Sequence, residues 1–106
     1  MWLFTKHGFF SAVQNWDDKD KIHVRARFKG DLERLCEAYN VQANVVQIPR
    51  TDYPYRMDFP RDTWAQIVKD EANGIDYTNF KSAVHDGTDR DDAYMVVWST
   101  LRKAQN

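Results

Sequence analysis

His23, Arg25, Arg27 and Lys29 occupy alternate positions of one short run, with Val24, Ala26 and Phe28 between them. Successive side chains of a strand point to opposite faces, so this spacing makes one cationic face and one apolar face. Guanidinium groups on an open sheet face grip phosphate or carboxylate oxygens through paired N–H donors. A second group lies in Arg50-Thr51-Asp52-Tyr53-Pro54-Tyr55-Arg56, two arginines and two tyrosines in seven residues. Arg25, Arg27, Arg50, Tyr53, Tyr55 and Arg56 are therefore the candidate ligand-binding residues. The arginines would supply charge and bidentate hydrogen bonds, and the tyrosines stacking and hydroxyl contacts. The expected ligand is anionic: a nucleotide, RNA or an acidic protein surface. The same residues also describe a solvated sheet face, its arginines paired with Asp52, Asp58 or Glu33 and its tyrosines on the core. Phe28, the one aromatic of the cationic run, falls on the apolar phase, which weakens the comparison with aromatic RNA-binding sheets.

Other groups are less specific. Tyr77-Thr78-Asn79-Phe80-Lys81 stands at an expected helix start, where free backbone N–H groups hold an anion or are simply capped. The acidic cluster Asp86-Gly87-Thr88-Asp89-Arg90-Asp91-Asp92 has neither the sixth-position glycine nor the distal glutamate of an EF-hand. Its acids suit a helix N-terminus instead. His7, His23 and His85 are widely spaced and match no zinc pattern. Cys36 falls on the expected apolar face of a helix and reads as a core thiol rather than a nucleophile. GxSxG, P-loop and GxGxxG sequences are all absent. No catalytic residue, metal or cofactor is expected.

At 106 residues the chain suits one domain, residues 1–106. A 14% aromatic content supplies a core of large side chains at that size. The formal net charge of -1 argues against attraction of the whole molecule to nucleic acid or membrane, so any such binding rests on a local patch. One cysteine permits no intrachain disulfide and favours a reducing, cytoplasmic setting. No apolar stretch approaches a membrane span, and the N-terminus lacks the layout of a signal peptide.

The elements that must position these residues follow from pattern. Residues 2–5 and 9–14 read as a hairpin turning at Lys6-His7-Gly8. A polar loop carries Trp16, which is expected to fold back onto the body. Residues 22–29 form the cationic strand, and a helix capped by Asp31 carries Leu32, Leu35, Cys36 and Tyr39 on one face. Residues 44–48 and 53–59 read as strands, and Pro54, which cannot donate a ladder hydrogen bond, makes the second an edge strand or one that begins at an edge. A helix from Pro60 carries Trp64, Ile67 and Val68 and closes at Asn73-Gly74. A helix over 76–84 is capped by Thr78, and a last one starts at Thr88 in a capping box with Asp91. Its expected inward face is Tyr94, Val97, Trp98 and Leu101. The expected fold is α+β: one antiparallel sheet of four to five strands with helices on one face, its middle compatible with a ferredoxin-like arrangement.

Met1-Trp2-Leu3-Phe4-Thr5 with Gly8-Phe9-Phe10-Ser11-Ala12-Val13 resembles the start of a small family of uncharacterised bacterial or bacteriophage proteins. Val24-Arg25-Ala26-Arg27, Asp52-Tyr53 with Tyr55-Arg56, Tyr77 with Asn79-Phe80-Lys81, and Val97-Trp98 extend the likeness over most of the chain. The resemblance implies a stand-alone intracellular domain and carries over no activity, cofactor or site residue. The leading expectation is thus a non-enzymatic domain binding an anionic ligand. Its rivals are a protein-interaction or inhibitor module using exposed Trp2, Phe4 or Trp16, and a small hydrolase or nuclease with a histidine base.

Overall fold

The computed structural model describes residues 1–105. The chain divides into two compact units, Met1–Ile75 and a second beginning at Asp76. The first contains β1 (Trp2–Phe4), β2 (Phe9–Gln14), β3 (Lys21–Ala26), α1 (Asp31–Ala38), β4 (Val46–Gln47), β5 (Tyr55–Pro60) and α2 (Arg61–Asn73). The second contains α3 (Phe80–Ala83) and α4 (Asp89–Ala104). All five strands pair antiparallel in the order β1-β2-β3-β5-β4, an α+β fold with one open sheet. Because β5 lies between β3 and β4, the middle of the chain has a split strand-helix-strand order.

Alternation in β3 sets the faces. Ile22, Val24 and Ala26 are buried and pair with Phe59, Met57 and Tyr55 of β5. On β2, Phe10 and Ala12 join the same face. Leu32, Leu35 and Cys36 of α1 and Trp64 and Ile67 of α2 complete one apolar cluster against it, so both helices cover the same side of the sheet. Trp64 meets Phe10 edge-on at 6.4 Å and Phe59 at 5.5 Å between ring centroids. Burial of each such ring contributes roughly 2–3 kcal/mol. The Cys36 thiol, as expected, is a core group: its Sγ lies 3.6 Å from Met57 Sδ, and burial, followed by the Glu33 charge, pushes its pKa up.

The first hairpin is fastened to α1. Thr5 N–H donates to Gly8 O at 2.9 Å, and Phe9 N–H donates to Asp31 Oδ2 at 3.2 Å. Arg34 donates to Asp31 Oδ1 and, through Nε, to His7 O at 3.2 Å. Asp31 is fully buried. It was expected to cap α1, but Gly30 holds the N-cap in a left-handed conformation and Asp31 is the first helical residue. Its carboxylate is taken by the hairpin and by Arg34 while still facing the positive end of the helix.

Other expectations are corrected locally. Trp16 is 94% exposed rather than folded back. Asn15 Oδ1 accepts from the N–H groups of Asp17 and Asp18 and turns the chain so that the indole points away. β3 ends at Ala26, β4 spans two residues, and β5 begins at Tyr55. Pro54 therefore stands outside the ladder donors, and β5 is an inner strand. In the second unit α3 is a four-residue helix capped by Asn79, whose Oδ1 accepts from Ser82 N–H at 3.0 Å; Thr78 is not the cap. Thr88 does cap α4, accepting from Asp91 N–H at 3.4 Å. Of the expected inward face of α4 only Tyr94 is buried, while Trp98 and Leu101 are exposed.

Candidate anion site on the outer sheet face

Strand register puts Ser11, Arg25 and Arg56 in one row on the face away from the α1–α2 core, and His23 and Asp58 in the next. Arg25 and Arg56 are direct cross-strand partners. Like charges placed so are destabilising unless other contacts offset them. Tyr53 supplies the offset. Its ring lies 4.5 Å from the Arg25 guanidinium carbon and 4.2 Å from that of Arg27. Each such cation–π contact contributes about 0.5–2 kcal/mol. Arg56 Nε donates to Tyr53 O at 2.9 Å, Arg27 Nη1 to Asp52 O at 2.8 Å, and Arg25 Nη2 to Ser11 Oγ at 2.8 Å. Three guanidiniums thus converge on one tyrosine, and the exposed Asp52 carboxylate lies 3.9 Å from Arg56. Arg25 Nε is buried and has no hydrogen-bond partner among the described residues.

Of the six residues picked from sequence, Arg25, Arg27, Tyr53 and Arg56 come together. Tyr55 pairs with Ala26 and packs on the core, on the opposite face. Strict alternation would put Tyr53 beside it, but Tyr53 lies in the bend before β5, where the strand period does not apply. Arg50 sits exposed in the preceding turn at φ 65°. Tyr53 is only 4% exposed, so its ring has no face to offer a base. Ser11 was missed because only the β2–β3 register places it under Arg25.

Beside the cluster, His23 Nδ1 and Asp58 Oδ1 are 2.9 Å apart, and Asn15 Nδ2 donates to the same oxygen at 3.1 Å. Burial alone would raise the Asp58 pKa. The hydrogen bonds from His23 and Asn15, with the charges of His23 and Lys21, outweigh it and hold the carboxyl below its ordinary range. His7 and His85 also have carboxylate partners, Glu71 at 2.7 Å and Asp91 at 2.6 Å.

Glu71 of α2 also accepts from the hydroxyl of Tyr39, whose ring meets His7 edge-on at 5.9 Å. Burial, then the hydrogen bond to Glu71 and the charges of Glu71 and Asp70, raise the Tyr39 pKa well above its ordinary value of 10.0. A raised tyrosine pKa means the folded state keeps a proton that the unfolded state gives up. The stabilisation is therefore complete below pH 10.0 and is lost as pH rises from there toward the folded-state value. Tyr39→Phe is expected to flatten that alkaline limb in chemical denaturation across pH, and an unchanged slope would remove the linkage.

These features define a class: a small α+β domain whose open antiparallel sheet is covered on one side by helices and carries a cationic cluster on the other. Comparison of the chain with protein-family models, curated proteins and solved structures finds no match in any of the three. Among the described residues no helix is long and apolar enough to cross a membrane. No group of three or more His, Cys, Asp or Glu among them is placed to hold a metal ion.

Proposed function

We propose that the protein is a non-enzymatic binding domain whose outer sheet face takes an anionic group of a nucleotide, an RNA or an acidic protein surface. The carrying observation is the convergence of Arg25, Arg27 and Arg56 on Tyr53 beside the single carboxylate of Asp52. Cations held this close repel one another, and an incoming oxyanion removes that cost while accepting N–H groups the cluster leaves unused. Tyr53 orders the guanidiniums rather than stacking on the ligand, so recognition runs through oxygens and not through a base. The lone, buried Cys36 fits a cytoplasmic setting, as does the family resemblance.

Titration with inorganic phosphate and with a short RNA, followed by calorimetry at several salt concentrations, tests this reading. Binding is expected to weaken as salt rises. Arg27→Gln should weaken it about tenfold or more, because a charge-assisted hydrogen bond is lost. Arg27 is exposed, so the thermal midpoint should stay within a few degrees. Unchanged affinity in Arg27→Gln would remove the cluster as the site.

One observation favours a second reading, a small hydrolase or nuclease. The His23–Asp58 pair lies on the same face as Arg25 and Arg56, one register step along, where an imidazole base could serve a held phosphate. Hydrolysis of a generic phosphodiester by the wild type but not by His23→Gln would move the assignment to it.

A further inference from the structure

We propose that the second unit carries a separate site for a small phosphate-bearing molecule, a phosphomonoester, in a pocket of about 410 Å³ lined by Asn79, Lys81, Ser82, His85 and Met95. It shares no residue with the Tyr53 cluster. The volume is within the range of small-molecule sites. The lining holds an ammonium, a carboxamide, a hydroxyl and an imidazole, and no carboxylate.

Three of the four polar side chains, Asn79, Lys81 and His85, are already constrained by a neighbour. Asn79 Oδ1 accepts from Ser82 N–H, which leaves its amide NH2 as the donor for a ligand. The Lys81 ammonium lies 3.8 Å from the Trp98 ring centroid, which steadies a flexible side chain. His85 Nδ1 is 2.6 Å from Asp91 Oδ2, and the Asp91 side chain is only 3% exposed. Gly87 N–H donates to the same oxygen at 3.3 Å, and Asp91 Oδ1 has no hydrogen-bond partner among the described residues. The buried carboxylate thus fixes the imidazole through Nδ1 and leaves Nε2 for the pocket. Phosphate suits Nε2 in both ring states: the imidazolium donates to a phosphoryl oxygen, and the neutral ring accepts from P–OH. Asn79, Lys81 and Ser82 then donate to the remaining oxygens, and Met95 provides an apolar wall for the ester group.

The test is a ¹H–¹⁵N NMR titration of the full chain with inorganic phosphate, with sodium chloride at matched ionic strength as control. Phosphate is expected to shift the amides of residues 79–85 and the His85 ring saturably, where chloride does not. Lys81→Met and His85→Gln should each weaken that response about tenfold, and Arg27→Gln should leave it intact. Equal shifts with chloride would overturn the proposal, as would a silent pocket in the wild type, a result that needs no variant to fold. A silent pocket with shifts around Tyr53 would overturn this site alone and leave the sheet-face reading standing.

Discussion

Gly8→Ala is expected to destabilise the first unit by about 2–3 kcal/mol in urea denaturation, a large effect for one methyl group. A Cβ at Gly8 would stand 2.5 Å from Asp31 Cγ and 2.6 Å from Asp31 Oδ2. Asp31 cannot swing aside cheaply, since it is fully buried and holds Phe9 N–H and Arg34. Moving it strands a buried donor, which itself costs about 1–3 kcal/mol. A double-mutant cycle isolates the cause. Asp31→Gly alone should be destabilising through the lost Phe9 bond. Gly8→Ala added to it should cost much less than in the wild type, because the obstructing side chain is gone, together with its Cβ, which would otherwise lie 2.8 Å away. Additive losses would show that the clash is not the mechanism, and a Gly8→Ala loss of only a few tenths of a kcal/mol would show that the turn relaxes freely.

Phe59→Ala should cost more, about 3–5 kcal/mol, through lost transfer energy and the cavity left behind. Phe59 lies on inner strand β5, pairs with Ile22 and packs on Trp64 from α2. It is almost fully buried, so the sheet has no solvent-side route to collapse into the gap. Phe59→Leu, which fills most of the volume, should lose well under half as much. A domain of this size has about 5–15 kcal/mol in total, so Phe59→Ala should bring it near its unfolding threshold at 37 °C. The measurement is the denaturation midpoint beside that of Trp16→Ala, an exposed position expected to be almost neutral. Comparable losses in the two would contradict the core assigned to β5.

Much of the sheet was legible because β3 is strictly periodic: Ile22, Val24 and Ala26 on one face and His23 and Arg25 on the other follow from counting by two. Counting failed at Tyr53, which leaves the strand phase in a bend, and so it joined Tyr55 to a site from which the fold separates it. It failed again at Asp31. A cap and a buried first-turn carboxylate look alike in sequence, and only the arrival of Phe9 and Arg34 distinguishes them. The cationic pairing of Arg25 with Arg56 was anticipated as a shared face. Its ordering by Tyr53 depends on contacts across nearly thirty residues of chain. The histidine–carboxylate pairs His7–Glu71 and His23–Asp58 are 64 and 35 residues apart, beyond any local spacing rule.

The sheet ends on two short margins. β1 offers three residues and β4 only two, and Pro49 and Pro54 bracket the turn that follows β4. Val46 and Ile48 are exposed at that margin and would otherwise invite another chain to add a strand. A proline has no N–H to give, and a two-residue ladder holds an incoming strand by very few bonds. Lateral growth of the sheet, the first step toward a fibril, therefore finds little to grip, and apolar side chains can stay at the rim without making it adhesive.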